Sequence, residues 1–375
     1  MYQDMGTRVV AFISSQSVNN FFLYYPMSQK TISQQPKKSR LVIVDIMVGL
    51  AMVFVVLGHQ SFPFSPSWYA HGLHEWIYRF HMEVFVFLSA FLIRYSYKGG
   101  NYLQYVGRKF KKFFIPFLLV GWVVGLVAAW GRGVEGSDVW GHLWSVTQGL
   151  LLYPMASDAS FLWYIYLLFG YYLITPLVVR LPSWLKMTLC LLSMGLPLLG
   201  AGHFLGGYMF ARYTFFYFLG VLCAEEWEQL RDVKTWVWAL LSLPFLLWSV
   251  KYLMHETTFL EVGPAGYDIL SGCIALPFFY CIARLIGHVG WLSAPLCRIS
   301  KDCFWIYLLQ MFIAWGCAYA LRYSGLMEVF PFWLFLIVSS ALCILVPIGC
   351  AWCGQKVGAI SLKKGKSRKA RSKKK

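Results

Sequence analysis

LVIVDIMVGLAMVFVVLGHQ, residues 41–60, decides the fold. Only Asp45 and His59 in this run are strongly polar. An Asp at the middle of a membrane helix costs about 2.5–3.5 kcal/mol on insertion scales, so such groups face a protein interior or a wet cavity. Asp45 and His59 are fourteen positions apart. At about 100° per residue they share nearly one helix face, roughly 21 Å apart along the axis. One face therefore carries an acid near one membrane surface and an imidazole near the other.

The rest of the chain fits that reading. Its 375 residues are 59% hydrophobic and 13% charged, with mean hydropathy +0.58. Soluble domains average about 25% charged. Apolar runs near 41–60, 78–97, 112–130, 160–180, 184–202, 209–224, 235–253, 266–286, 301–321 and 331–353 predict an all-α, polytopic membrane protein of about ten spans. Placing the N-terminus in the cytoplasm puts 28 of the 33 Lys and Arg on inner segments. Only Arg79, Arg132, Arg212, Lys251 and Arg322 fall outside. That asymmetry predicts both termini in the cytoplasm.

A net charge of +17 would suit nucleic acid, but much of it lies in the tail from Lys356, which ends KKGKSRKARSKKK. Just beyond a span, such a tail is a topology determinant and an anchor on anionic lipid. The expected partner is the bilayer, with no nucleic acid. The ten cysteines lie mostly in apolar runs, where Cys acts as a small hydrophobe. No metal ligand set and no redox role for Cys350-Ala-Trp-Cys353 is expected.

The organisation is one membrane domain over 41–353, with a cytoplasmic segment 1–40 before it and a basic tail 354–375 after it. Met27 precedes the basic lead-in SQKTISQQPKKSR and is a candidate natural start. The outer loop 131–159 holds an apolar piece, 143–153, too short to span and expected to be re-entrant or interfacial. A second outer loop, 254–265, carries His255, Glu256 and Glu261. No sequence repeat is detectable, which counts against the inverted-repeat design of many transporters.

This topology puts His59 at the outer end of the first helix and Arg79-Phe80-His81-Met82-Glu83 at the outer start of the second. Trp163 and Tyr164 begin the fourth helix at the same level. A lone membrane histidine is explained as well by an interhelical hydrogen bond as by chemistry. Two of them, with Arg79 and Glu83 nearby, favour chemistry. For Trp163 the interfacial aromatic belt is the alternative.

These stretches resemble a known family. Asp45 to His59 looks like the first helix of the acyltransferase-3 family, integral membrane O-acyltransferases acting on sugars and polysaccharides. FHMEVFVFLSAFL (80–92) resembles its second helix, usually FHMPLFFFLSGFL. GRKFKKFFIPF (107–117), LWYIYLLFGYYLITPL (162–177), FFYFLGVLCAEE (215–226) and ISKDCFWIYLLQMF (299–312) are similar to later elements in the same order. The resemblance covers about 40–360. Its nearest flavour is the branch that acetylates fucose and other sugars of bacterial surface polysaccharides, in the cytoplasmic (inner) membrane.

The resemblance implies an acyl-CoA co-substrate, most simply acetyl-CoA, with no permanently bound cofactor, and a glycan or lipid-linked sugar acceptor. It implies His59 as general base, with His81 orienting it or sharing its proton. Donor contacts are expected at Asp45, Arg94, Arg108, Lys109, Lys111 and Lys112. Acceptor contacts are expected at Arg79, Glu83, Trp163 and Tyr164. Ser89, Tyr307 and Gln310 are expected in helix packing or in the passage.

The sequence departs from the family at several points. The usual basic residue three after the Asp is Val48, and Arg94 is the expected replacement. The Pro after Phe-His-Met is Glu83, and the late Tyr-Leu-x-His is Tyr307-Leu-Leu-Gln310. Two other readings stay open: a flippase or transporter for a lipid-linked sugar, and a non-catalytic relative that binds acyl-CoA.

Overall fold

The computed structural model describes residues 37–133, 138–254, 264–326 and 329–372, with side chains within 42–133, 138–254, 268–326 and 329–353. The candidate start at Met27, the loop residues His255, Glu256 and Glu261, and the side chains of the basic tail lie outside the described residues. Among the described residues the chain is all-helical, without a strand.

The main helices are α1 (Lys37–Gly58), α2 (His81–Ser96), α3 (Ile115–Gly131), α4 (Val139–Leu152), α5 (Trp163–Val178) and α6 (Ser183–Ser193). They continue with α7 (Gly207–Glu225), α8 (Thr235–Leu253), α9 (Pro264–Gly287), α10 (Gly290–Tyr323) and α11 (Phe332–Ser372). Seven described segments are long and apolar enough to cross a bilayer: Trp68–Ser96, Tyr102–Gly131, Ser160–Val178, Thr235–Leu253, Asp268–Ile286, Gly290–Tyr323 and Phe332–Cys353. The protein is therefore an integral, multi-pass membrane protein.

The other predicted spans differ for local reasons. The apolar part of α1 is shorter, Val42–Gly58. The run at 184–202 is α-helical only through Ser193. Gly195 begins a break, Pro197 lies in a 3-10 turn (Leu196–Leu199), and Gly200 takes the left-handed conformation at φ 61°. A proline without its N–H and a left-handed glycine both end a helix. The run at 209–224 forms α7, which carries Arg212 in its first turns.

α1 is the central post. It packs against α10, α9, α2 and α11. Its closest approach is at Gly49, where a Cβ would lie 2.3 Å from the Leu296 carbonyl oxygen of α10. α7 meets α2 just as closely, since a Cβ at Gly220 would lie 2.4 Å from the Phe87 carbonyl oxygen. Small residues at such crossings let membrane helices gain van der Waals contact that larger ones would block.

The short apolar piece predicted at 143–153 is the end of α4, fourteen residues long, folded back along α3. Gly121 and Gly125 of α3 receive Leu150 and Val146. His142 Nε2 lies 2.9 Å from the Gly125 carbonyl, and Trp122 Nε1 donates to Thr147 at 2.8 Å. Arg132 closes the hairpin with two bonds to Asp158, at 3.0 and 2.8 Å. These bonds hold the Asp158 carboxyl below its usual range. A depressed carboxylate stabilises the fold above its unfolded pKa, and that contribution is lost as pH falls through the lowered folded value. Asp158→Asn should therefore speed amide exchange in α4 at neutral pH by about two- to fivefold, the scale of an exposed pair. The wild type should converge on the variant only in acid. Equal exchange at neutral pH would show that the pair does not hold the hairpin.

Candidate active site

His59 sits just past the end of α1, its backbone N–H 3.2 Å from the Val55 and Val56 carbonyls. The chain then runs through a π-helical segment, Trp68–His74, and a short helix, Glu75–Tyr78, before α2 begins at His81. This return brings Tyr78 against Gly58, where a Cβ would lie 3.1 Å from the phenol ring. Three imidazoles surround that phenol. Ring centroids are 6.5 Å apart for His59–Tyr78, 4.7 Å for Tyr78–His81 and 4.3 Å for His74–Tyr78.

His59 and His81, expected near each other, lie on either side of Tyr78. Tyr78 and His74 were not anticipated. The i, i+4 spacing of His74 and Tyr78 places those two on one face, and His81 joins them from α2 beyond the break at Phe80.

His81 is buried, and its Nδ1 lies 2.8 Å from the Ile77 carbonyl. A carbonyl can only accept, so Nδ1 carries the proton and Nε2 of the neutral ring keeps its lone pair. His59 Nδ1 is buried with no hydrogen-bond partner. The Gln310 side chain of α10 faces the His59 imidazole. Gln310 is 1% exposed, and both of its amide atoms also lack a partner. Buried polar atoms are nearly always satisfied in folded proteins, and here the His59 imidazole and the Gln310 amide are each other's nearest match, without a bond of full geometry.

The backbone behind them is pinned. Ser339 Oγ donates to Gln60 Oε1 at 2.6 Å, Gln60 Nε2 to Cys343 Sγ at 3.6 Å, and Cys343 Sγ to the Gln310 carbonyl at 3.3 Å. The end of α1 is tied through α11 to the turn of α10 that carries Gln310.

Beside this group lies a second cluster. Arg212 bonds Glu83 Oε1 through Nε and Nη2, at 3.2 and 3.0 Å. Its Nη2 also lies 3.1 Å from Asp268, which Arg79 approaches at 3.5 Å. Two cations and two carboxylates balance. Glu83 and Arg79 were anticipated; Arg212 and Asp268 were not, although each is a charged residue in or next to an apolar run, itself a functional signal. Arg212 lies over the Tyr213 ring at 5.3 Å, and Trp163 stacks on the same ring at 5.2 Å.

Tyr164 does not join Trp163 there. Its hydroxyl bonds Ser89, its ring packs against Tyr307 at 5.3 Å, and the Tyr307 hydroxyl donates to the Phe161 carbonyl. Tyr164, Ser89 and Tyr307 line a cavity of about 30 Å³ with Val48, Phe113 and Cys303. Tyr164 is placed with the predicted passage residues, not with the acceptor group.

Farther along α1, Asp45 accepts from Ser300 Oγ at 3.2 Å. The basic stretch splits by orientation. Arg108 and Lys111 are exposed, whereas Lys109 and Lys112 are partly buried. Lys109 Nζ sits 4.1 Å from the centre of the Tyr172 ring, and Lys112 Nζ 5.3 Å from that of Phe113. A π-helical segment, Phe110–Phe114, sets this register.

Arg94 does not supply the charge expected beside Val48. It donates to Glu225 at 2.8 Å, and Lys186 bonds the other oxygen of that carboxylate. The carboxylate at the end of α7 draws both cations there. Arg94 is absent from the wall of the Val48 cavity, whereas Phe113, next to Lys112, is part of it.

The chain is a multi-pass helical membrane protein with three imidazoles and a charged network gathered at one end of its central helix. The acyltransferase domain model of the acyltransferase-3 family matches residues 41–352, so the chain belongs to that family. No curated protein and no solved structure matches the chain.

Proposed function

We propose that the protein is a membrane O-acyltransferase that moves an acyl group, most simply acetyl, from acyl-CoA to a hydroxyl of a cell-surface glycan or lipid-linked sugar. The observation that carries this reading is the His59 imidazole set against the buried Gln310 amide, the two interacting without a fully formed hydrogen bond, with His81 on the far side of Tyr78. An imidazole takes a proton near neutral pH, as a general base must.

In the proposed step a ring nitrogen of His59 takes the proton of the acceptor hydroxyl. The hydroxyl oxygen forms a bond to the thioester carbonyl carbon, and the carbon–sulfur bond breaks. The thiolate leaves with the proton that His59 held. The Gln310 amide oxygen accepts from the other ring nitrogen and fixes the ring. His81, held through Nδ1, offers Nε2 to the same acceptor. The Arg212–Glu83–Asp268–Arg79 network, with Trp163 on Tyr213, forms the wall that orients the sugar.

Lys109 and Lys112 would meet the donor phosphates, and Arg108 and Lys111 the water-exposed side of the nucleotide. Charge-assisted bonds to phosphate are among the stronger ones proteins make. Lys112 then supplies the charge that Val48 lacks. Lys112→Met should raise the KM for acyl-CoA about tenfold, the scale of one bond to a charged group, with the acceptor KM unchanged. An equal rise in both constants would refute this assignment.

We further propose ten crossings with both termini in the cytoplasm of a bacterial inner membrane. α1, α7 and α6 with its 3-10 extension add three crossings to the seven long segments. The domain then runs over 41–353, with 354–375 as a basic cytoplasmic tail. The deciding experiment is transfer of labelled acetyl from acetyl-CoA in membranes bearing the full chain, compared with the O-acetylation of surface glycan in cells lacking it. Unchanged glycan and absent transfer would remove the reading.

A further inference from the structure

A larger chamber lies on the other side of α2. It measures about 210 Å³, and its wall includes Phe91, Leu219, Trp227, Leu276, Trp238 and Tyr280. Leu88 lines both this chamber and the small cavity beside Val48. None of the residues assigned above to base, donor or acceptor lies in its wall.

Protein interiors hold few voids larger than a water molecule. An apolar cavity of about 150 Å³ stays dry and takes up benzene. A larger one inside a membrane protein suits an apolar chain, and the solvent around this bundle is hydrocarbon chain. The wall also carries a polar signature. Trp238 Nε1 is buried with no hydrogen-bond partner, and the buried Tyr280 hydroxyl, on a ring 4.6 Å away, has the Arg284 side chain beside it as a donor, which leaves its own O–H free to donate. An indole N–H can only donate, and a phenol can donate beside it. Such a pair complements a carbonyl oxygen. The Arg284 guanidinium lies 5.8 Å from the centre of the Tyr280 ring and bonds the Arg231 and Val233 carbonyls, at the connection between α7 and α8. A cation thus stands at the same end as the two donors.

We propose that this chamber binds one aliphatic acyl chain, its methylenes along Phe91, Leu219 and Leu276 and its carbonyl oxygen accepting from Trp238 and Tyr280. The same chemistry is offered by the acyl chain of a bilayer lipid and by a long-chain acyl-CoA. The inference rests on the chamber and the membrane setting. It is independent of the role given to His59, so either can fail alone.

Two thiols make the test direct, because Cys223 and Cys273 also line the chamber. The full chain in detergent micelles is irradiated with palmitic acid carrying a mid-chain diazirine, and cross-linked peptides are mapped by mass spectrometry. Labelling should fall on the segments around Cys223 and Leu276. Unlabelled palmitate should suppress it at least tenfold and should protect both thiols from N-ethylmaleimide. Leu276→Trp, which fills the chamber, should lower labelling at least tenfold with an unchanged elution profile. Should that variant misfold, Cys273→Phe and the thiol protection in the wild type carry the test.

Trp238→Phe with Tyr280→Phe should weaken palmitate competition about tenfold. Competition by palmitoyl-CoA at least tenfold better than by palmitate assigns the chain to an acyl donor. Equal labelling from a diazirine phospholipid in nanodiscs assigns it to the bilayer. Labelling confined to lipid-facing positions such as Leu240 and Leu247, indifferent to filling and to competitor, would overturn the proposal.

Discussion

His59→Ala is expected to abolish acyl transfer while leaving the protein inserted and monodisperse. Loss of a general base costs about 10²–10⁴-fold in turnover. His59 lies past the last turn of α1, and the ties that hold this region run through Gln60, Ser339 and Cys343, not through its imidazole. The fold should therefore survive. Membranes bearing the variant, normalised for protein, should show no acetyl transfer above background; a fully active variant sinks the central assignment. Gln310→Met, which keeps volume and removes the amide, should lower kcat about tenfold without moving the KM of either substrate, on the scale of one hydrogen bond to a charged ring. A packing role for Gln310 would instead appear as lower thermal stability with normal turnover.

The second large effect belongs to Arg212. Its Arg212→Met variant leaves Glu83 and Asp268 enclosed without their shared cation. Glu83 is fully buried, and its Oε2 already lacks a partner. Removing one member of a buried charge network costs about 3–5 kcal/mol, because the remaining charge is stranded. The expected result is a large fall in folded yield and in thermal midpoint in detergent. Adding Glu83→Gln should restore much of the midpoint, since Asp268 keeps Arg79. If the double variant is as unstable as the single one, the network is not what holds α2, α7 and α9 together.

Much of the frame was legible because its causes are local. A run of apolar residues must cross or enter the bilayer. The fourteen-residue spacing of Asp45 and His59 places both groups on one face whatever surrounds them. That His59 and His81 fall at the same end of the bundle, one on each side of Tyr78, follows from two helices joined at the same surface. What escaped was long-range. Arg212 and Glu83 are 129 positions apart, and no periodicity in either helix encodes their pairing. Arg94 looked available to the Val48 side because nothing in α2 reveals that Glu225 and Lys186 stand opposite. The run at 184–202 hides a change of helix type: hydropathy counts Leu196, Pro197, Leu198 and Leu199 as one continuous helix, whereas the α-helix ends at Ser193 and a 3-10 turn follows. Tyr164 was grouped with Trp163 by adjacency, yet neighbours on a helix point about 100° apart.

The small cavity beside Val48 has a consequence for the membrane itself. At about 30 Å³ it has room for about one water. No thioester arm can thread it as it stands, and neither can a continuous file of protons or ions. Under the proposed function, a protein joining a cytoplasmic donor to chemistry on the far side must not short-circuit the transmembrane potential. The aromatic rings of Phe113, Phe304, Tyr164 and Tyr307 line this constriction and leave no wide water-filled path through it. Under the proposed function a donor arm could pass only by displacing those rings, and would itself fill the gap it made.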